Sequence, residues 1–295
     1  MKAAFLGLGV MGWPMAVHVA RQHDLTVWNR TETRAKAFAA EHKARAAGTA
    51  AEAVAGAEVV LTCLPTSREV ESLLDGPGGI ETGLSRGALV LDCTSGDPAT
   101  SRRIAARLAD HGVAFADAPV SGGTNGAEAA TLTVMVGADG ATFARAEPLL
   151  RAFGQRIEHL GPVGAGHAMK AVNNALLAVN IRAFAEGFAA LVKAGIPARR
   201  ALAVLNTSSG RSFVSESLVP DRVLTGAFPP TFRLALLEKD VGIAVALLEE
   251  TGVDGAVLRS THQLFRSART AFGEEADYLE AIRMVERQAG VEIRG

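Results

Sequence analysis

The feature that most restricts this chain is a glycine turn placed between a strand and a helix near its start. Ala3 to Leu8 is a short apolar run that reads as a buried strand. Gly7-Leu8-Gly9-Val10-Met11-Gly12 then fits G-x-G-x-x-G, and Pro14 to Arg21 reads as a helix. Each glycine has its own task in such a unit. Gly7 permits the tight turn, Gly9 lets a pyrophosphate approach the backbone, and Gly12 lets helix and strand pack closely. The helix N-terminus adds N–H groups and a partial positive charge for the phosphate. Gly7, Leu8, Gly9, Val10, Met11 and Gly12 are therefore expected at a dinucleotide.

Leu25 to Trp28 reads as the second strand. A fold of this kind that selects NAD usually ends that strand in Asp or Glu, which bonds the ribose 2′-hydroxyl. Here the end is Asn29-Arg30-Thr31. A guanidinium stands where a carboxylate is usual, which suits a 2′-phosphate. NADP is expected over NAD. The plainer reading is that Thr31 caps the helix Glu32 to Glu41 and Arg30 is a surface charge. Both can hold at once.

Glu58 to Leu64 and Ala88 to Asp92 are further apolar strands, ended by Pro65-Thr66-Ser67 and Cys93-Thr94-Ser95-Gly96. Helical runs follow each, Arg68 to Leu74 and Pro98 to His111. This alternation predicts a doubly wound parallel sheet, whose ligands lie outside the carboxyl ends of the strands. Leu64, Pro65, Thr94 and Ser95 are accordingly expected along the cofactor. Thr94 and Ser95 can instead simply cap the helix that starts near Pro98. Val113 to Ala116 is strand-like, and a loop runs from Asp117 to Ala127. Within it Ser121, Gly122 and Gly123 offer a hydroxyl and uncovered amides, suitable for a carboxylate. On composition alone it is also an ordinary glycine loop. Thr131 to Val136 reads as a strand, Ala141 to Phe153 as a helix and Arg156 to Leu160 as a last strand.

After Gly161-Pro162 strand signals nearly vanish, which places a boundary between a domain 1–162 and an all-helical domain 163–295. Lys170 is the only formally charged residue between Glu158 and Arg182. The run after it, up to Ala194, predicts one helix of roughly 40 Å, buried between other elements. Burial favours a neutral amine, the form that takes a proton at neutral pH. Asn174, four residues on, shares a face with Lys170, so an amine and an amide can both hold a substrate hydroxyl. A lysine snorkelling to the surface is the alternative. Helical runs follow at Ala198 to Leu205, Ala235 to Glu250, Val257 to Ala271 and Ala276 to Gln288. Lys239, in the second of these, is either a solvated face residue or a group that reaches a cofactor.

Hydrophobic residues make up 48% of the 295 and charged ones 21%, as in a globular protein with a large core. A net charge of −1 gives no footprint for nucleic acid or anionic membrane. The N-terminus lacks the pattern of a signal peptide. Cys63 and Cys93 read as buried thiols without metal-ligand spacing, so cytoplasm is expected. The Gly164 helix comes nearest to a membrane span, but Lys170, Asn173, Asn174 and Asn180 count against it.

With these residues in hand, the chain resembles the β-hydroxyacid dehydrogenase family, and most closely its 3-hydroxyisobutyrate-oxidising members, over nearly its whole length. Four motifs in order carry the resemblance: the N-terminal G-L-G-x-M-G, D-A-P-V-S-G-G-T-N-G-A, G-x-x-G-x-G-x-x-x-K-x-x-x-N from Gly161 to Asn174, and Lys239-Asp240. It implies that Lys170 is catalytic, that Asn174 and Ser121-Gly122-Gly123 hold substrate, and that Ser95 and Lys239 lie at the cofactor. Asp92 to Pro98 departs from the family's D-x-S-T-x-x-P by exchanging Ser and Thr, and Ala130 and Ala138 stand where glycine is common. The implied reaction is reversible hydride transfer between NADP(H) and a small 3-hydroxy acid, with no metal, in a homodimer or homotetramer. Short-chain aldehyde acid reductases of the tartronate, succinic or glyoxylic semialdehyde type are the alternative. Imine reductases share the architecture but lack a lysine at the position of Lys170. A non-catalytic NADP-binding module is the alternative outside the enzymes.

Overall fold

Strand and helix alternate through the first half of the chain in the computed structural model, which describes every residue except Pro77. The elements are β1 (Lys2–Leu6), α1 (Gly12–Ala20), β2 (Asp24–Trp28), α2 (Glu32–Glu41), β3 (Ala44–Ala46), α3 (Ala50–Val54), β4 (Val59–Thr62), α4 (Ser67–Ser72) and α5 (Ile80–Gly83). There follow β5 (Leu89–Asp92), α6 (Pro98–Asp110), β6 (Ala114–Asp117), β7 (Val120–Ser121), α7 (Gly123–Ala129), β8 (Leu132–Gly137), α8 (Gly140–Leu150) and β9 (Gly154–Gly161). The second half is helical: α9 (Ala165–Lys193), α10 (Ala198–Asn206), a π-helix (Val214–Val223), α11 (Leu234–Thr251), α12 (Ala256–Phe272) and α13 (Glu280–Ala289).

Among the described residues one sheet forms, in the order β3-β2-β1-β4-β5-β6-β8-β7, with β9 beside β8. The strands from β3 to β6 run parallel, and β8 lies antiparallel to β6 and β7. Both faces are covered, and the pleat shows how. Phe5, Leu61 and Leu91 enter one apolar cluster while their neighbours Leu6, Val60 and Val90 enter the other. Alternation of period two sends successive side chains to opposite faces, so a parallel sheet covered on both needs continuous apolar strands. Those are the runs that the sequence shows.

The chain divides into two compact units, Met1–Lys170 and Ala171–Gly295. The division falls inside α9, eight residues after the position read from the change of pattern. The second unit has its own core, with Ile181, Phe184, Leu218, Leu237, Phe265 and Ile282 in it.

Three local readings are corrected. The Asp117 to Ala127 loop contains a strand end and a helix, since Ser121 closes β7 and α7 begins at Gly123. The helix expected from Ala276 starts only at Glu280. Asp277 takes the chain aside there: its carboxylate accepts the Thr231, Phe232 and Leu279 N–H groups at 2.8, 3.1 and 3.0 Å. Thr94 and Ser95 do not cap α6. Asp97 does, accepting the Ala99 and Thr100 N–H groups, with Pro98 at the first helical position.

Candidate active site

β1 and β4 are neighbours although not consecutive, so their carboxyl ends flank the point where strand order reverses. The glycine turn is at that point. Gly7 has φ +103°, and a Cβ on it would lie 2.3 Å from the Cys63 carbonyl oxygen. A Cβ on Gly12 would lie 2.0 Å from the Gly7 carbonyl oxygen. Among the described residues a Cβ on Gly9 would meet nothing within 4 Å, so open space lies against the backbone where a pyrophosphate needs it. The residues present fit a dinucleotide cofactor on this observation.

The rest of the turn is held from β2 and α2. Leu8 is buried, its N–H donates to Asn29 Oδ1 at 3.0 Å, and its carbonyl accepts from Arg34 Nε. Asn29 Nδ2 donates to the Thr31 carbonyl at 3.1 Å. Val10 is 70% exposed and Met11 half-buried at the start of α1. Arg30 and Thr31 are exposed, and Thr31 stands at the N-cap of α2 without a capping bond from its hydroxyl.

The ends of β4 and β5 are stitched together. Thr62 Oγ1 donates to Asp92 Oδ1 at 2.8 Å, and the Thr94 N–H reaches the same oxygen at 3.0 Å. Thr94 Oγ1 accepts the Leu64 N–H at 3.1 Å. Leu64, Pro65 and Ser95 lie at these ends, with Leu64 and Ser95 half-buried. Burial, and then the Asp92 carboxylate, push the Cys63 thiol up to about 12. Burial pushes Cys93 up as well, so both stay thiols.

Ser121 pairs with Thr133 of β8, and Gly122 and Gly123 follow with φ of +137° and +63°. The helix they open is tied to α1, whose His18 Nε2 donates to the Glu128 carbonyl at 2.9 Å. Glycine turn and Ser121 segment thus share one frame.

Lys170 stands half-buried near the start of α9. That start is fixed from β6, where Asp117 accepts the Gly164 and His167 N–H groups at 2.6 and 2.8 Å. Helix N-termini leave such donors without intrahelical partners, and a buried carboxylate satisfies two of them. Burial raises the Asp117 carboxyl above its usual range, while His167 and the two N–H groups pull it back.

Within the second unit, Asn174 is 5% exposed and bonded at both ends of its amide. Its Nδ2 donates to Asp240 Oδ2 at 2.6 Å, and its Oδ1 accepts from Asn173 Nδ2 at 3.0 Å. Lys239 Nζ lies 3.0 Å from Asp240 Oδ1. Asp92, Asp117, His167 and Asp240 organise these groups, and reading the chain assigned them no role. Three carried a signal. Asp92 opens the Asp92 to Pro98 segment, Asp117 opens D-A-P-V-S and Asp240 closes K-D.

α9 is long and apolar enough to cross a membrane by length and composition, a test that the core helix of a soluble protein also passes. Its Ala178, Ile181, Ala185 and Phe188 lie in the core of the second unit.

Two families match along the chain. Residues 2–161 match the NAD binding domain of 6-phosphogluconate dehydrogenase, and residues 164–285 the NAD-binding family of NADP-dependent 3-hydroxyisobutyrate dehydrogenase. The chain is 34% identical to 2-(hydroxymethyl)glutarate dehydrogenase of Eubacterium barkeri, covering 100% of this chain and 98% of that protein. It is 30% identical to 2-hydroxy-3-oxopropionate reductase of Escherichia coli, with 98% of each covered. The structure of Mycobacterium tuberculosis 3-hydroxyisobutyrate dehydrogenase with L-serine matches at a TM-score of 0.87 and 32% identity, over 96% of this chain and 98% of that one. A Rossmann-type sheet followed by a helical half, with the glycine turn at its switch point and matches to both halves, leads to one conclusion: the chain belongs to the β-hydroxyacid dehydrogenase family and is an NAD(P)-dependent oxidoreductase.

Proposed function

We propose that the chain oxidises, reversibly, the 3-hydroxyl of a small 2-substituted 3-hydroxypropionate, with NADP preferred over NAD. 3-Hydroxyisobutyrate, giving methylmalonate semialdehyde, is the first choice. The observation that carries this reading is Lys170, a half-buried amine near the start of an apolar helix whose N-terminus is held from the end of β6.

The cofactor, when bound, supplies the hydride acceptor. Gly7 to Gly12 would hold its pyrophosphate, Arg30 its 2′-phosphate, and Asn29, Thr31, Leu64, Pro65, Thr94, Ser95 and Lys239 complete its surroundings. Ser121 and the amides of Gly122 and Gly123 take the substrate carboxylate. Lys170 accepts the hydroxyl proton as general base and returns it in reduction. Asn174, one turn further along α9, orients the hydroxyl or the lysine.

The named relatives act on molecules of one pattern. 2-(Hydroxymethyl)glutarate carries a primary alcohol one carbon beyond the carboxylate-bearing carbon, and 2-hydroxy-3-oxopropionate carries the matching aldehyde. They differ at carbon 2, which supports the class, and the aldehyde acid reductases stay as the second reading for the same site.

A second copy of the chain is the proposed partner. Met169, Leu176, Ala183 and Ala190 recur every seventh residue of α9, and all four are exposed, Leu176 by 54%. An apolar stripe of that period suits packing against another helix. Cytoplasm remains the proposed location.

The test is turnover with NADP+ and NAD+ on a panel of 3-hydroxy acids differing at carbon 2. The reading predicts a higher kcat/KM with 3-hydroxyisobutyrate than with glycerate or 2-(hydroxymethyl)glutarate. Absence of turnover on every member would overturn the proposed chemistry. Light scattering that returns a 30.6 kDa species at micromolar concentration would overturn the proposed assembly.

A further inference from the structure

Beside the carboxyl end of β5 lies a buried imidazole for which the proposed reaction has no task. His167 is 0% exposed and Asp92 1%. His167 Nδ1 lies 2.7 Å from Ser101 Oγ of α6. Its Nε2 lies 3.9 Å from Asp92 Oδ2, and neither of these two atoms has a hydrogen-bond partner among the described residues. Buried polar atoms without partners are rare, so each is the group best placed to offset the other.

The backbone closes over this ring. A Cβ on Gly96 would stand 2.6 Å from His167 Cε1 and 2.9 Å from Nδ1, and 2.4 Å from Ser67 Oγ. Ser67 Oγ meanwhile accepts the Asp97 N–H at 2.7 Å. The segment from Thr94 to Asp97 is thus laid on the imidazole through Gly96. Its near end is fixed by Asp92, whose Oδ1 takes the Thr94 N–H.

We propose that His167 is a positioning residue: its ring is the seat on which the Gly96 backbone rests, and it sets where Thr94 and Ser95 stand at the carboxyl end of β5. This rests on the reading that places Thr94 and Ser95 along the cofactor. The start of α9 has a separate anchor, because Asp117 binds backbone N–H groups that any residue at 167 supplies. Removing the ring therefore acts on the cofactor segment rather than on the helix that carries Lys170. Residues 96 and 167 are also coupled. A side chain at 96 would press on the ring and on the Ser67 hydroxyl, and a smaller residue at 167 relieves the first of these contacts.

The experiment measures NADPH binding by fluorescence and steady-state kinetics on the full-length protein, for wild type, His167→Ala, Gly96→Ala, the double variant and His167→Gln. His167→Ala and Gly96→Ala are each expected to weaken NADPH binding about tenfold, with the loss in the KM for cofactor rather than in kcat. The double variant is expected to lose less than the product of the two, because the new methyl enters the room that the ring occupied. His167→Gln, which keeps polar atoms toward Ser101, should stay within about threefold of wild type. Unchanged NADPH binding in His167→Ala, strictly multiplicative losses, or a loss confined to kcat would each overturn the proposal. If His167→Ala does not fold, Gly96→Ala and His167→Gln decide by the same readouts. A wild type that does not bind NADPH refutes the cofactor reading itself. A wild type that binds, with variants that bind equally well, refutes only the role of His167.

Discussion

Asn29 Oδ1 accepts the Leu8 N–H at 3.0 Å, so the amide at the end of β2 is turned back into the glycine turn. The charge offered outward at this strand end is therefore Arg30, which is exposed. Arg30→Asp is expected to lower kcat/KM with NADP+ by about tenfold or more and to shift preference toward NAD+, chiefly through KM, since this contact is remote from the reacting carbon. Steady-state kinetics with both cofactors checks it. A wild type with the higher kcat/KM for NAD+ sinks the preference.

Lys170→Ala should cost about 10² to 10⁴ in the rate of hydride transfer, the usual contribution of a general acid or base. Cofactor binding should remain, because the glycine turn is built without Lys170. Lys170→Arg should also be poor, since a guanidinium keeps its proton near neutral pH. Single-turnover measurements on folded, NADP-saturated variant decide. Retention of more than about a tenth of the wild-type rate would make Lys170 structural.

The parts of this site that were legible in the sequence are those whose partners are near in the chain. Gly7, Gly9 and Gly12 act within six residues, and Lys170 and Asn174 are one helical turn apart. What stayed hidden joins distant positions. Asn174 and Asp240 are 66 residues apart, as are Ser101 and His167. No periodicity reports such a pair. The direction of β8 was equally hidden, because T-L-T-V-M-V alternates in the same way read parallel or antiparallel. The Ala276 to Leu279 segment has helical composition, and Asp277 overrides it with bonds to residues some 46 positions earlier.

Asp240 is 2% exposed and accepts from Asn174 while lying beside Lys239. Asp240→Asn keeps the shape and removes the charge that fixes both partners. The expected result is a lower melting temperature and a loss of up to about 10²-fold in kcat, the scale set by misplacing an aligned group. Calorimetry and kinetics well below the melting temperature check the two halves separately. Unchanged kcat would show that Asn174 keeps its place without the carboxylate.

The cysteines give a pH prediction. The Cys63 thiol is held at about 12 against an ordinary 9.0, by burial first and Asp92 second. Because its folded value is raised, its contribution is fully present below the unfolded value and is lost as pH climbs from about 9 toward 12. Urea midpoints should therefore fall across that window. At pH 8 the native protein should react slowly with a thiol reagent and the urea-unfolded chain with two equivalents promptly. Prompt reaction of the native protein would contradict the burial of Cys93 and the raised thiol of the partly buried Cys63.

Helix α9 runs unbroken across the division between the compact units, which falls between Lys170 and Ala171. The halves therefore have no linker to cut. Any break at the division severs helical hydrogen bonds that span it, from residues just after Lys170 back to carbonyls just before. Shuffling this N-terminal half onto another C-terminal half is then a problem of helical phase rather than of linker length. An insertion of one residue at the joint turns the later side chains of α9 by about 100° about the helix axis. That turns Asn174 off the face of Lys170, whereas seven added residues restore the phase to within about 20°.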